Sequence, residues 1–322
     1  FGPSERGHAL TITAEWRDDL RPLAMMVHQR APDLPRWRFH EVRHPVPANQ
    51  VADMISARLQ AALAIGEVEV SAGEYRAIDL AVTGKATEDE LVRQAVLLFS
   101  LLMGEAQDRI WLGEIATTRP AMLQNLLARK KQGAAPDMAR LKSAIDECID
   151  KGRGMAPDVP FCDVALDDRS FSTLQPAEPG EGSPTYDDLI VLTSSYPEMS
   201  LARMNGKRFA SERFSKFGES FATLKLPKTD GHFDDLDERY ALEEKLHEKL
   251  AGSRTGGVIG GAFGQSHAYI DIALLHVGDA IDVITELLRA ENAPRQTAIH
   301  FAEPGLDAFN VPVWPDSPAI SA

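Results

Sequence analysis

The sequence predicts an α+β protein of two compact units, each a mixed or antiparallel sheet with helices on one face and a ferredoxin-like element order, joined by a helical and loop connector. Three observations predict it. The chain has 322 residues, near the size at which single cores stop growing. Strand-like alternation and helical 3.6-residue spacing follow one another in both halves. Between the halves, Pro176-Ala177-Glu178-Pro179-Gly180-Glu181-Gly182-Ser183-Pro184 has the composition of a linker. The expected divisions are 1–118, an N-terminal α+β domain; 119–185, a helical segment and flexible linker; and 186–322, a C-terminal α+β domain.

In the first unit, Leu10–Thr13 reads as a strand. Asp18 and Asp19 sit where a helix start prefers acids, before Leu20, Leu23, Ala24 and Val27 at helical spacing, and Pro32 and Pro35 stop the helix. Trp37–Arg43 reads as a strand ended by Pro45 and Pro47. Val51, Met54, Ile55, Arg58, Leu59 and Leu63 form one stripe of a helix over 48–63. Glu67–Val70 and Tyr75–Val82, separated by Ser71-Ala72-Gly73-Glu74, give a hairpin. Thr87 with Glu90 has capping-box spacing and opens an almost wholly apolar helix through Met103. Ile110–Ile115 closes the sheet. Two short helices occupy 120–151, and 152–185 has too little periodicity to bury much.

In the second unit, Leu189–Leu192 and Phe221–Leu226 read as strands. A helix over 234–250 places Leu236, Tyr240, Glu243, Leu246 and Leu250 on one line. Residues 256–275 give two strands around Gln265-Ser266-His267. Asp279 opens a helix ending before Pro294, and Thr297–Ala302 is the last strand.

Charge and cysteine exclude several function classes. The net charge is −14, and it is uneven: residues 1–150 carry 18 basic against 21 acidic residues, while 151–322 carry 16 against 27. So acidic a surface repels phosphate, which disfavours nucleic acid and anionic membrane as partners. Arg129-Lys130-Lys131 is too short to reverse that. No apolar run approaches the roughly 20 residues of a membrane span. Cys148 and Cys162 alone make neither a disulfide framework nor a four-thiolate zinc site, and a reducing, cytoplasmic compartment is expected.

Few motifs carry chemistry. His40-Glu41-Val42-Arg43-His44 spells the zinc-protease string, whose chemistry needs both histidines on one helix face. The preceding strand pattern and the following Pro45 argue against a helix. On a strand the two histidines sit about 13 Å apart, too far to share an ion. Gly256-Gly257-Val258-Ile259-Gly260-Gly261-Ala262-Phe263-Gly264 lacks the nucleotide-binding spacing and leads into a strand, so a bulged edge strand is expected. Arg203, Lys207, Arg208 and Arg213 form a basic cluster that suits an anion, with a solvated hairpin the expected reading. Asp234, Asp235, Asp237 and Glu238 suit a helix start without any metal.

The best site candidates are His267, Tyr269 and Asp271, which alternate with Ala268, Ile270 and Ile272 and so share one strand face, with His300 as a fourth member. A His, a Tyr and an acid together suit acid–base work or polar-ligand binding, while the same row also suits the wet face of an antiparallel sheet. No metal and no cofactor are expected.

Leu10-Thr11-Ile12-Thr13, then Leu23 to Val27, then Ala31-Pro32-Asp33-Leu34-Pro35-Arg36-Trp37-Arg38-Phe39 resemble an uncharacterised bacterial domain-of-unknown-function family over residues 10–115. Arg43 and Ile78-Asp79-Leu80 fit its later strands. The resemblance implies an α+β fold and no activity. The expected function is that of a non-catalytic protein-interaction or regulatory protein with an unknown protein partner. The alternative is an enzyme or small-ligand binder using the polar sheet face.

Overall fold

The computed structural model describes residues 2–4, 7–14, 17, 20–118, 136–176, 184–229, 233, 235–303, 306 and 310–315. Among them are eight α-helices and three sheets, an α+β protein. The chain divides into two compact units, 1–155 and 156–322.

Unit 1 holds two three-stranded sheets. In the first, β1 (Gly2–Ser4) pairs antiparallel with β2 (Gly7–Thr11), which pairs parallel with β3 (Trp37–His40). Helix α1 (Arg21–Gln29) makes the crossover that a parallel pair requires. After α2 (Val51–Leu59), the second sheet sets β4 (Ile65–Ala72) antiparallel to β5 (Ile78–Gly84) and β5 parallel to β6 (Leu112–Thr118). Helices α3 (Glu88–Met103) and α4 (Glu105–Trp111) form that crossover. The capping residue of α3 is Thr87, whose side chain accepts from the Glu90 N–H at 3.4 Å. The α3 side chains Leu98, Phe99 and Leu102 are buried, as are Ile78, Leu80 and Val82 of β5. Helix α5 (Met138–Gly154) packs on β4 and β5 through a row that includes Ile145 and Ile149.

Unit 2 is one seven-stranded sheet in which every pairing is antiparallel, in the order β13-β12-β9-β11-β10-β8-β7. Its strands are β7 (Ser172–Leu174), β8 (Leu189–Ser194), β9 (Ser220–Pro227), β10 (Gly256–Gly264), β11 (His267–Leu274), β12 (Ala298–Phe301) and β13 (Asn310–Pro312). The helices are α6 (Pro197–Met204), α7 (Leu236–Gly252) and α8 (Val277–Ala290). One sheet face presents Leu224, Ile270, Ile272 and Ile299 to Leu246 of α7 and Ile284 of α8. Asp235 caps α7, accepting from the Glu238 N–H at 2.9 Å.

Several expectations are corrected. Unit 1 splits its β3-α2-β4-β5-α3-α4-β6 run between two sheets, and the unit 2 sheet has three strands more than the four that the β9-α7-β10-β11-α8-β12 run supplies, so the ferredoxin-like description covers neither unit whole. Helices do not keep to one face: Met204 of α6 packs with Ala262 and Tyr269, on the side opposite α7 and α8. The expected connector is divided between the units. Helix α5 belongs to the first, and residues 156–176 join the second, where Phe161 and Cys162 are buried. Arg169 holds that segment down, donating to the carbonyls of Phe161 (2.5 Å), Val164 (2.6 Å) and Val258. Residues 177–183, the centre of the expected linker, lie outside the described residues, as do Arg129-Lys130-Lys131, Asp18, Asp19 and Asp234. Ile110 and Trp111 end a helix before β6 begins, and β12 is followed by β13. On α7 the inward line is Arg239, Leu242, Leu246 and Leu250, while Leu236 and Tyr240 are exposed.

The glycine-rich segment is an interior strand, β10, between β11 and β8, with a register shift between Val258 and Gly260. Its glycines permit close approach. A Cβ on Gly260 would lie 2.3 Å from the Thr193 carbonyl oxygen and 2.9 Å from Ser194 Cα, both backbone atoms that cannot swing aside. We therefore expect Gly260→Ala to destabilise unit 2 by about 1–3 kcal/mol or more, read as a lowered urea midpoint at unchanged slope.

Candidate functional site

The alternation of β11 puts Tyr269 and Asp271 on the sheet face opposite Ile270 and Ile272, and His267 at the same face's edge. Register then adds to them. His300 stands beside Thr223, Thr223 beside Asp271, and Lys225 beside Tyr269, so β12, β9 and β11 together build one polar layer. That layer is not wet. Tyr269, Thr223 and Asp271 are fully buried, and His300 and Lys225 nearly so.

Two segments form its roof. Arg203 reaches in from α6, donating to Asp271 Oδ1 at 3.2 Å and to Thr223 Oγ1 at 2.5 Å. Tyr186, in the turn before β8, donates to Asp271 Oδ1 at 2.5 Å, with its ring under the Arg203 guanidinium. Thr223 also donates to that oxygen at 2.6 Å. Burial, with the Asp271 charge adjoining, pushes the Tyr186 phenol well above its ordinary range, so it stays a neutral donor.

The other half of the layer is organised by Asp187 and Asp188. Burial opposes ionisation of Asp188, but donors from Ser266, Tyr269 and His267 outweigh it and hold the carboxyl down at about 2. The Ser266 N–H and Oγ lie 2.6 and 2.5 Å from Asp188 Oδ2, and His267 Nδ1 lies 3.2 Å from it. Tyr269 donates to Asp188 Oδ1. Lys225 pairs with Asp187 at 2.8 Å. The arrangement clips the β10–β11 hairpin to the start of β8, and the Asp188 carbonyl also accepts from the Gln265 N–H at 2.9 Å.

The four sequence candidates thus share a layer but not a pocket. His267 and Tyr269 converge on Asp188, whereas Asp271 is held by Tyr186, Thr223 and Arg203. His300 meets neither. Burial first, then the charges of Lys225 and Arg203, lower its pKa to about 4 and keep the imidazole neutral. Its Nε2 and Asp271 Oδ2 have no hydrogen-bond partner among the described residues. Sequence reasoning missed Tyr186, Asp187, Asp188, Thr223, Lys225 and Arg203. The placement of Arg203 on a solvated hairpin is corrected: it is a helical residue, buried because a buried carboxylate needs its charge. Arg213, from the same cluster, is buried as well, donating to the Arg208 carbonyl at 2.5 Å.

Among the described residues, one group of three side chains offers ligand atoms within 4.8 Å of one another: Asp187, Asp188 and His267. The donors just described already engage these carboxylates, and the Lys225 ammonium stands where a cation would compete.

The His40–His44 string is corrected differently. No helix forms, but β3 ends at His40 and the chain bends back, bringing His44 Nε2 to 2.8 Å from His40 Nδ1 rather than 13 Å away. The two imidazoles bond to each other. Burial, with His44 adjoining, lowers the His40 pKa. Near this segment a recess of about 10 Å³, room for one water molecule, is lined by Arg21, Glu41, Glu105 and Arg109. No described helix is long and apolar enough to cross a membrane.

No family model, curated protein or solved structure matches the chain, and no activity comes to it by comparison.

Two outcomes follow from this geometry. Arg203→Met leaves Asp271 uncompensated in the interior and should cost about 3–5 kcal/mol in chemical denaturation. Asp188, whose carboxyl is lowered by folding, adds stability that is full above its unfolded pKa of 3.8 and is lost as pH falls towards about 2. Asp188→Asn should therefore flatten the acid limb of a Tm-against-pH curve between about pH 4 and 2.

Proposed function

We propose that the protein works by docking another protein and not by catalysis. The observation that carries this reading is helix α1, whose amphipathicity is inverted. Its inward side is Arg21, Ala24 and His28, of which only Ala24 is buried. Its outward side presents Leu23, Met26 and Val27 at i, i+3 and i+4, about half exposed at 55%, 46% and 47%, with Met25 next to them. A surface helix ordinarily turns its apolar stripe to the core. A nine-residue helix has little intrinsic stability and depends on packing. An apolar row left outward on such a helix fits a surface that a partner covers.

A second reading, small-ligand binding on the polar layer of unit 2, draws on the unpartnered Asp271 Oδ2 and His300 Nε2. The roof of Tyr186 and Arg203 weighs against it, since any ligand would have to displace a buried ion pair.

One pair of measurements separates the readings. Cross-linking of the full chain in a cell extract should give adducts on residues 21–34 that vanish in a Leu23→Ser, Met26→Ser, Val27→Ser variant of unchanged Tm. A metabolite library should raise the Tm of the native chain by no more than it raises that of Asp271→Asn. Adducts indifferent to the triple change, together with a metabolite shift lost in Asp271→Asn, would reverse the ranking.

A further inference from the structure

Independently of the docking reading, we infer that His40 Nδ1 and His44 Nε2 form a two-nitrogen chelate for a divalent transition ion of square-planar or tetragonal preference, copper(II) first. The first support is how the two rings face each other. Their facing nitrogens are 2.8 Å apart. A straight N–H···N bond of that length would hold the ring centroids about 5 Å apart. The centroids are only 4.4 Å apart, with the ring planes at 85°. The nitrogens are therefore turned off the line that joins them, and the bond between the rings is bent.

Two ligands at a right angle around one ion make the same bend. With metal–nitrogen bonds of about 2.0 Å, such ligands have nitrogens roughly 2.8 Å and ring centroids roughly 4.5 Å apart, against about 3.3 and 5.2 Å for tetrahedral ones. Both separations found here match the right angle. Right-angled sets of nitrogen and oxygen suit copper(II) and nickel(II), whereas zinc favours the tetrahedron.

The second support is that backbone bonds fix both ligand positions before any ion arrives. His40 ends β3, and its carbonyl accepts from the Ile12 N–H at 2.8 Å. The bend carrying His44 is fastened to the end of α3 and the start of α4. There the Arg43 N–H donates to Glu105 Oε2 at 3.2 Å, and the Arg43 carbonyl accepts from the Glu105 N–H at 2.9 Å. The Val46 N–H donates to the Leu101 carbonyl at 2.8 Å. A chelate held in this way binds without having to order its backbone. All of these residues belong to unit 1.

His44 and Glu41 are exposed, so an ion from solvent reaches the pair. The Glu41 carboxylate, 3.8 Å from His28 Nδ1, lies beyond hydrogen-bond distance of it and can swing to supply an oxygen, with water in the remaining positions. A strand and a bend bring the histidines together here, not a helix face, so no zinc-protease chemistry goes with the site.

The test uses the full-length chain without a histidine tag, stripped of metal and titrated calorimetrically with copper(II), nickel(II) and zinc(II) chlorides. One copper(II) per chain is expected, with an axial electron paramagnetic resonance spectrum coupled to two nitrogens. That coupling is read on the native chain, so it decides even if a variant fails to fold. His40→Gln and His44→Gln should each weaken copper about tenfold or more, and the double variant about as much as either. His28→Gln should leave the two-nitrogen coupling in place. Copper heads the affinity order at any such site, so nickel against zinc tests the geometry, with nickel expected about tenfold tighter. Zinc tighter than nickel through the same histidines would overturn the tetragonal assignment. Copper held equally by the double variant (adventitious binding at other histidines only), coupling to fewer than two nitrogens, or no binding would overturn the site.

Discussion

The interior of unit 2 depends on one carboxylate. Asp271 lies at the centre of a seven-stranded sheet with no exposed surface, and an ion so placed costs several kcal/mol unless it is answered by charge and hydrogen bonds. Arg203, Tyr186 and Thr223 answer it together. Each comes from a different segment: α6, the turn before β8, and β9. Satisfying one oxygen thus fixes the position of the roof over the second sheet face. It also makes that roof hard to open, because lifting it would strand the charge beneath.

The two faces of the sheet are stabilised by different physics. Towards α7 and α8 the contact is mainly aliphatic and tolerant in direction, as hydrophobic packing is, with Arg239, Glu243 and His247 of α7 buried beside it. Towards the roof it is directional, built from ion pairs, phenols and a hydroxyl whose partners are prescribed by geometry. A face of the second kind specifies register more strictly than one of the first. The Asp188 clip on the β10–β11 hairpin adds a further register mark at its edge.

Much of the secondary structure was legible because it is local. Period-two alternation gave β9 and β11, and Thr87 with Glu90 gave the start of α3. The face shared by His267, Tyr269 and Asp271 followed from that alternation, whereas the place of His300 on it rests on a sheet order, β12 beside β9, that no local pattern carries. What lay over this face was not legible, since α6 owes its place to Arg203 meeting an acid 68 residues away. Nor was the bend after His40, where one hydrogen bond between imidazoles replaces the extended path the pattern suggested. Helix α1 was read as an ordinary amphipathic helix because spacing identifies a stripe but not the side of the protein it faces. Elements were visible where neighbours in sequence determine them and hidden where distant charges do.

The glycines of β10 also make the sheet electrically thin. Gly260 is the strand neighbour of Asp271, and Gly261 leaves the room that the Glu243 carboxylate of α7 occupies from the other side. Burial raises the Glu243 pKa to about 7, with Arg239 opposing and the Asp271 charge adding to the rise. Two carboxylates on opposite faces therefore feel one another with no side chain between them at these positions. Proton occupancy on Glu243 thus answers in part to the charge on the roofed side of the sheet.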